Sequence, residues 1–141
     1  MIEIKEYTEF NDKEIRNLYD SVEWYNYTEN FEMLKNSFAH SLKILGAYDD
    51  EKLLGIIRAV GDGYSVLYIQ DLLILPEYQR KGIGTKLMKQ MDKLYPNIYM
   101  TVLLSDESEE PVAFYKSLEL KMNSEAGCVA FIKWNTKRNE D

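Results

Sequence analysis

LYIQDLLILPEYQRKGIGTKLMKQMDKLY, residues 67–95, changes its periodicity once and so decides the architecture. It opens with a run rich in Leu and Ile (Ile69, Leu72, Leu73, Ile74, Leu75) of strand length, breaks at Pro76, and resumes after a polar loop as a helix. In that helix Ile83, Leu87, Met88, Met91, Leu94 and Tyr95 make one apolar stripe, with Lys86, Lys89 and Lys93 standing against it. Pro96 and Asn97 close the segment.

The loop between strand and helix, Gln79-Arg80-Lys81-Gly82-Ile83-Gly84, carries the chemistry. Amides at a helix start, here those of Gly82, Ile83, Gly84 and Thr85, lack intrahelical partners, and the helix dipole adds partial positive charge. Gly82 and Gly84 have no Cβ to hold a bulky anion away from the backbone. Such a turn is a seat for phosphate. Arg80 and Lys81 add fixed positive charge. Gly84 is followed by Thr85 and Lys86, so this is not a Walker loop, and two glycines do not make the dinucleotide fingerprint.

This arrangement resembles the GCN5-related N-acetyltransferase (GNAT) family, whose central signature is Arg/Gln-x-x-Gly-x-Gly/Ala between a strand and a helix. Gln79, Gly82 and Gly84 fill it, preceded by Ile74-Leu75-Pro76-Glu77-Tyr78 where the family commonly has Val-x-Pro-x-Tyr. The resemblance implies an α/β fold: a mixed twisted sheet of six or seven strands with about four flanking helices, in one domain over residues 1–141. It also implies that the loop holds the pyrophosphate of acetyl-CoA. The preceding strand, at Leu72, Leu73 and Ile74, then pairs with the pantetheine arm.

A second segment, Ala113-Phe114-Tyr115-Lys116-Ser117-Leu118, is similar to the family's Phe-Tyr-x-x-x-Gly-Phe motif. By position Tyr115 takes the role of the acid that protonates the departing thiolate, a role a placed phenol can fill. Glu119-Leu120 stand where the family has Gly-Phe, and glutamate is a poorer helix terminator than glycine. Ser108 stands where many members have an Asn that contacts the cofactor. The resemblance also implies a carboxylate base acting through water. Asp71 is the first candidate, because a buried acid must be paired or open to a cleft; its other role would be pairing with a neighbour such as Arg58, and Glu23 and Glu109 are the alternative bases. The oxyanion would be held by a backbone amide around Leu73 or Ile74.

The rest of the chain fits around this core. Ile2 and Ile4 predict a strand ending near Thr8, and Lys13–Val22 a helix capped by Asn11 or Asp12. The aromatic stretch Glu23-Trp24-Tyr25-Asn26-Tyr27-Thr28 precedes a helix with Phe31, Leu34, Lys35 and Phe38 on one face, ending near His40. Trp24, Tyr25 and Tyr27 either plug the core or, as the resemblance implies, wall the acceptor site and pack on a cationic acceptor. Residues 43–48 and 53–60 predict two strands of an antiparallel meander, with Arg58 on the face opposite Ile57, solvated or lining the acceptor site. Ile98–Leu104 predicts a buried strand, and a helix starts near Pro111 and runs through Leu118. Leu120–Asn123 and Cys128–Trp134 predict a final hairpin, followed by a frayed tail over 135–141.

Composition excludes several classes. With 24 acidic against 17 basic residues the formal charge is −7, which repels nucleic acid and anionic lipid and favours cationic amines, whether small molecules or peptides. No apolar run approaches the ~20 residues of a membrane span, and the acidic start MIEIKEYTEF is unlike a signal peptide, so a cytoplasmic protein is expected. One cysteine, Cys128, and one histidine, His40, make no metal site by themselves, and the two read as a small core residue and a helix end. The expected activity is acetyl transfer from acetyl-CoA to a primary amine; a non-catalytic acyl-CoA sensor is the alternative. The acceptor has no motif, and a homodimer is expected only because family members are often dimers.

Overall fold

The computed structural model describes residues 1–136, in which the chain divides into two compact units, Met1–Leu103 and a second beginning at Leu104. The first unit is a five-stranded sheet in sequential order, β1 (Ile2–Glu6), β2 (Lys43–Asp49), β3 (Lys52–Gly61), β4 (Val66–Ile74) and β5 (Met100–Leu103). Neighbours β1 to β4 run antiparallel and β4 pairs β5 parallel. Its helices are α1 (Asp12–Ser21), α2 (Tyr25–Thr28), α3 (Phe31–Ala39) and α4 (Ile83–Leu94).

The first helix starts at its expected cap. Asn11 accepts the Glu14 N–H at 2.9 Å through its side chain and so caps α1. On one face of the sheet Ile15, Leu18 and Tyr19 of α1 and Leu34 and Phe38 of α3 pack on Ile44, Leu53, Ile56, Leu73 and Leu75. Leu34 has no exposed surface, and burying such a side chain contributes about 2 kcal/mol. The stripe on α4 is buried at Ile83, Leu87, Met88 and Met91, and this helix packs on β2, β3 and β4. The hairpin into β4 is held by Asp62, whose carboxylate accepts the N–H groups of Tyr64, Ser65 and Val66.

One irregularity organises the rest. Arg58 of β3 faces Asp71 of β4, but the next pair is Ala59 with Ile69, so Gln70 is an extra residue in β4. A bulge breaks the period-two alternation, and Gln70 and Asp71 consequently point to the same side: Gln70 donates to the Tyr27 hydroxyl at 3.2 Å and Asp71 accepts from the Tyr19 hydroxyl at 2.7 Å. Arg58 is therefore not solvated, and the expected alternative, a pairing of Asp71 with Arg58, is present. It is 4% exposed, and its Nε donates to Asp71 Oδ2 at 2.8 Å while Nη1 reaches the Ser41 hydroxyl at 3.2 Å.

The second unit contains α5 (Glu109–Ser117) and, among the described residues, no strand. The sheet therefore has five strands where six or seven were expected, and α2 brings the helices to five. Two segments explain the difference. The 25–28 aromatic stretch closes a single helical turn, and the 124–127 stretch is not a hairpin turn but a 3₁₀ turn over Asn123–Ala126. The Glu125 carboxylate accepts the Met122 N–H at 3.0 Å, and Gly127, at φ +80°, ends the turn. Local hydrogen bonds thus take the groups that a hairpin would have paired. Cys128 is exposed rather than in the core, and β5 is shorter and more open than expected, with Met100 48% exposed. Of the expected tail, residues 137–141 lie outside the described residues.

The end of α5 answers the question raised by Glu119. Its φ is +69°, the Leu120 N–H bonds the Tyr115 carbonyl at 3.2 Å, and the Glu119 N–H bonds the Lys116 carbonyl at 3.0 Å. This is the paired closure of a Schellman motif with glutamate in the left-handed position.

Two predictions follow from these contacts. An L-residue in the left-handed region costs roughly 1–2 kcal/mol, so Glu119→Gly should slow amide exchange in the last turn of α5 by about fivefold, the equivalent of ~1 kcal/mol; unchanged exchange would refute the strain. Arg58→Met leaves a buried carboxylate without its counter-charge and should cost about 3–5 kcal/mol in denaturant unfolding. The double variant Arg58→Met with Asp71→Leu should recover most of that loss.

Candidate active site

The strand, loop and helix of residues 66–94 form a continuous surface. Along one edge β4 pairs with β3 throughout, while along the other it meets β5 only from Val66 to Ile69. From Gln70 to Ile74 the β5 side of the strand has no partner strand among the described residues. Backbone donors and acceptors at Leu72, Leu73 and Ile74 therefore border an open edge that an extended amide-bearing ligand can pair with. On the β3 side the approach is close: a Cβ at Gly55 would lie 2.7 Å from the Leu73 carbonyl oxygen.

Beyond Ile74 the chain makes a 3₁₀ turn over Pro76–Tyr78. Gln79 folds its side-chain amide back onto the Ile74 carbonyl at 3.0 Å and so ties the loop to the end of the strand. Arg80 and Gly82 both adopt positive φ, +62° and +83°, and Gly82 is the N-cap of α4. A Cβ at Gly82 would meet nothing within 4 Å, so the glycine is required by its backbone conformation, and the space above it is open. The first intrahelical bond runs from the Lys86 N–H to the Gly82 carbonyl at 3.1 Å, which leaves the amides of Ile83, Gly84 and Thr85 for an external acceptor. Lys81 lies over the Tyr78 ring at 5.6 Å, and Lys52 approaches the same ring at 5.0 Å and donates to its hydroxyl at 3.4 Å. Lys52, read from sequence only as part of a charged turn, thus joins the basic rim of the loop. The charge and the open amides together suit a pyrophosphate.

The aromatic residues gather around Asp71. The Tyr19 ring packs against Trp24 at 6.0 Å and Tyr27 at 5.3 Å, and Trp24 and Tyr27 are 6.2 Å apart. Tyr25, by contrast, is 46% exposed. Burial and the Asp71 charge push the Tyr19 phenol well up, and burial followed by Asp71 raises Tyr27 as well. For Arg58 burial works against the charged form, and Asp71 outweighs it, leaving the guanidinium raised. The second carboxylate oxygen of Asp71, Oδ1, is buried without a hydrogen-bond partner. Tyr19 and Gln70 were not singled out by the sequence; only the pairing across the bulge identifies them. Glu23 sits at φ +63° between α1 and α2. His40 ends α3 as expected, its Nδ1 2.9 Å from the Asn36 carbonyl.

In the second unit Ser108 is the N-cap of α5 and Glu109 and Glu110 open the helix, where acidic side chains complement the dipole. Tyr115 is half-buried on this helix, its hydroxyl makes no hydrogen bond among the described residues, and burial raises its phenol. Among the described residues no three His, Cys, Asp or Glu side chains are grouped to hold a metal, and no helix is long and apolar enough to cross a membrane.

Comparison with known proteins agrees with this geometry. The family model for the acetyltransferase (GNAT) domain matches residues 7–136. A GNAT-family acetyltransferase from Streptococcus pneumoniae TIGR4 is 38% identical, with a TM-score of 0.86 over 97% of this chain and 100% of that one. The fold is shared with PaiA N-acetyltransferase from Thermoplasma acidophilum in complex with coenzyme A, at 19% identity and a TM-score of 0.68 over 84% of this chain and 88% of that one. It is shared too with an aminoglycoside acetyltransferase from an uncultured soil metagenomic sample in complex with sisomicin, at 18% identity and 0.71 over 96% and 97%. With a family model matched over residues 7–136 and a 38% identical relative from the same family covered over its whole length, the chain belongs to the GNAT acetyltransferase family.

Proposed function

We propose that the protein transfers an acetyl group from acetyl-CoA to a primary amine by direct attack in a ternary complex, the two compact units acting as one domain. The observation that carries this reading is the continuity of the β4 edge, free beyond Ile69, with a glycine-capped helix start little more than a loop away. An acyl-CoA has two recognisable features, an extended amide-bearing arm and a pyrophosphate, and this segment offers a matching surface for each.

Roles follow from the chemistry. The amides from Gly82 to Thr85 receive the pyrophosphate, with Gln79 shaping the loop and Arg80 and Lys81 supplying charge. Leu72, Leu73 and Ile74 pair with the pantetheine arm, and an amide near Leu73 or Ile74 takes the oxyanion as the amine nitrogen attacks the thioester carbonyl. Collapse of the adduct expels the thiolate, and Tyr115 donates its phenolic proton to the sulfur. Burial raises its phenol, which favours the protonated form that can donate. Asp71, through Oδ1, takes the proton lost by the amine by way of water. Ser108 contacts the cofactor. Trp24, Tyr25 and Tyr27 form the wall for the acceptor, where their faces suit a cation. The relative bound to sisomicin is an aminoglycoside acetyltransferase, which supports an amine as acceptor class.

Calorimetric titration tests the cofactor seat: native protein should bind acetyl-CoA saturably, and Arg80→Glu, which reverses a charge at the loop, should weaken binding by at least about tenfold. Absence of binding at millimolar acetyl-CoA would end the enzymatic reading. For the chemical step, Tyr115→Phe should lower kcat by ~10²-fold while leaving acetyl-CoA affinity unchanged, the signature of lost general acid catalysis. A protein that binds acetyl-CoA but acetylates no amine in a broad screen would instead be an acyl-CoA sensor.

A further inference from the structure

Asp71 has almost no surface of its own to offer an amine. Its side chain is 1% exposed, Oδ2 accepts from the Tyr19 hydroxyl at 2.7 Å and from Arg58 Nε at 2.8 Å, and Oδ1 has no hydrogen-bond partner. A buried carboxylate oxygen left in this way costs free energy until a donor reaches it, so the groups beside it decide what Asp71 can do. Tyr19 is fully buried and gives its only proton to Oδ2, and Arg58 is nearly as buried. Tyr27 differs from both. It is half-buried, and its hydroxyl takes part in a hydrogen bond that lies at the surface.

Two contacts define that hydroxyl. The first is with Gln70, exposed at the bulge, whose Nε2 donates to the Tyr27 oxygen at 3.2 Å. A phenol oxygen has one proton and two lone pairs, so this bond leaves it the proton and a lone pair. The second is with Asp71: burial first, and then the Asp71 charge, raise the Tyr27 phenol, and a hydrogen bond to the Asp71 carboxylate adds to both. The ring itself is held edge-on against Tyr19, 5.3 Å between centroids. One hydroxyl therefore joins the buried carboxylate to the exposed side of the bulge.

We propose that the Tyr27 hydroxyl relays the proton from the acceptor to Asp71 in the acyl transfer described above, a reading on which this inference rests. Water takes a proton from the bound ammonium and passes one to the free lone pair of Tyr27. The Tyr27 O–H bond breaks, and its proton forms a new O–H bond at Asp71 Oδ1. Water and Tyr27 end unchanged, the ammonium has become a neutral amine able to attack, and the carboxylate has gained one proton. Oδ2 keeps both of its hydrogen bonds, so Arg58 and Tyr19 hold the acid in place throughout. The groups facing Asp71 are Arg58 from β3, Tyr19 from α1, Tyr27 from α2 and Tyr68 from its own strand, and each is shifted towards its protonated form. Tyr27 is thus a relay as well as part of the acceptor wall.

Initial rates with acetyl-CoA and a panel of primary amines, from weakly basic glycinamide to strongly basic propylamine, test the relay in native protein and in Tyr27→Phe. A base is needed only while the amine is protonated. The expected result for Tyr27→Phe is a ~10²-fold loss of kcat/KM at neutral pH with strongly basic amines, a smaller loss with weakly basic ones, and convergence on native rates as the pH passes each amine's own pKa. An equal loss at every pH is the mark of a damaged wall and would overturn the relay, as would no loss. Proton NMR of the native chain decides without substrate. The Tyr27 hydroxyl proton, identified by its absence from Tyr27→Phe, should lie in close contact with the Asp71 methylene, and contact with Gln70 alone overturns the relay whether or not any amine is acetylated. A protein that shows the Asp71 contact yet acetylates none of the panel defeats the acyl transfer reading instead, and removes the reaction that the relay serves.

Discussion

The ion pair between Arg58 and Asp71 is the constraint on which the first unit depends. Both side chains are almost completely buried, and two charges removed from water are tolerated only when each finds the other with good geometry and further hydrogen bonds. Tyr19 and Ser41 supply those bonds, the first from α1 and the second from just beyond α3. The pair therefore does more than neutralise itself. It fixes the helical layer that carries the aromatic residues onto the two central strands, at one defined register. Moving β4 by a residue would leave a carboxylate and a guanidinium facing apolar side chains, a cost that apolar packing alone does not impose.

The bulge at Gln70 makes this pairing compatible with the rest of β4. Before it, Leu67 and Ile69 are buried in the sheet region where β4 also pairs β5; after it, Asp71 and Leu73 turn to the side of α1 and α3. The pairing with β5 ends at Ile69, just before the extra residue. A bulge increases local twist and bends its strand, which is how one strand can lie in a continuous sheet on one edge and leave its neighbour on the other. The open backbone of Leu72 to Ile74 and the buried Asp71 are thus two consequences of one inserted residue. They sit back to back, one on the strand edge and one on the helical face.

How much of this was legible in the sequence divides along the same line. The strand, loop and helix of residues 67–95 were readable because each change of period is marked by Pro76 or by the glycines, and Gly82 does occupy a left-handed N-cap. The meander and the cap of α1 were readable for similar local reasons. Arg58 was left between solvent, the acceptor wall and a pairing with Asp71, because alternation along β3 does not say which of its faces the helices cover; the bulge at Gln70 carries no marker in the sequence at all. Tyr19 was not singled out, since its hydrogen bond spans 52 positions in the chain. The final hairpin failed differently: alternation in 128–134 describes what the segment is able to pair with, whereas a strand also needs a neighbour. The local turn at Asn123–Ala126 had already taken the groups that would have started it.

The acidic balance of the chain and the basic loop answer different demands. A CoA carries several phosphate charges, so a chain of net charge −7 repels it at long range, and productive binding then needs a local reversal of sign. Arg80, Lys81 and Lys52 lie within a few residues or one ring of each other around Tyr78, which concentrates positive charge at the helix start. Screening at physiological salt limits the long-range repulsion to about 8 Å, whereas contacts at the loop act inside that distance. In the proposed reaction the same global charge draws a cationic amine toward the protein. Its attraction is then met by aromatic faces and by the Asp71 oxygen that Arg58 and Tyr19 leave unpaired. The proposed reaction needs opposite signs at the two ends of one surface, and β4 separates them by carrying its open edge toward the loop and its carboxylate toward the helices.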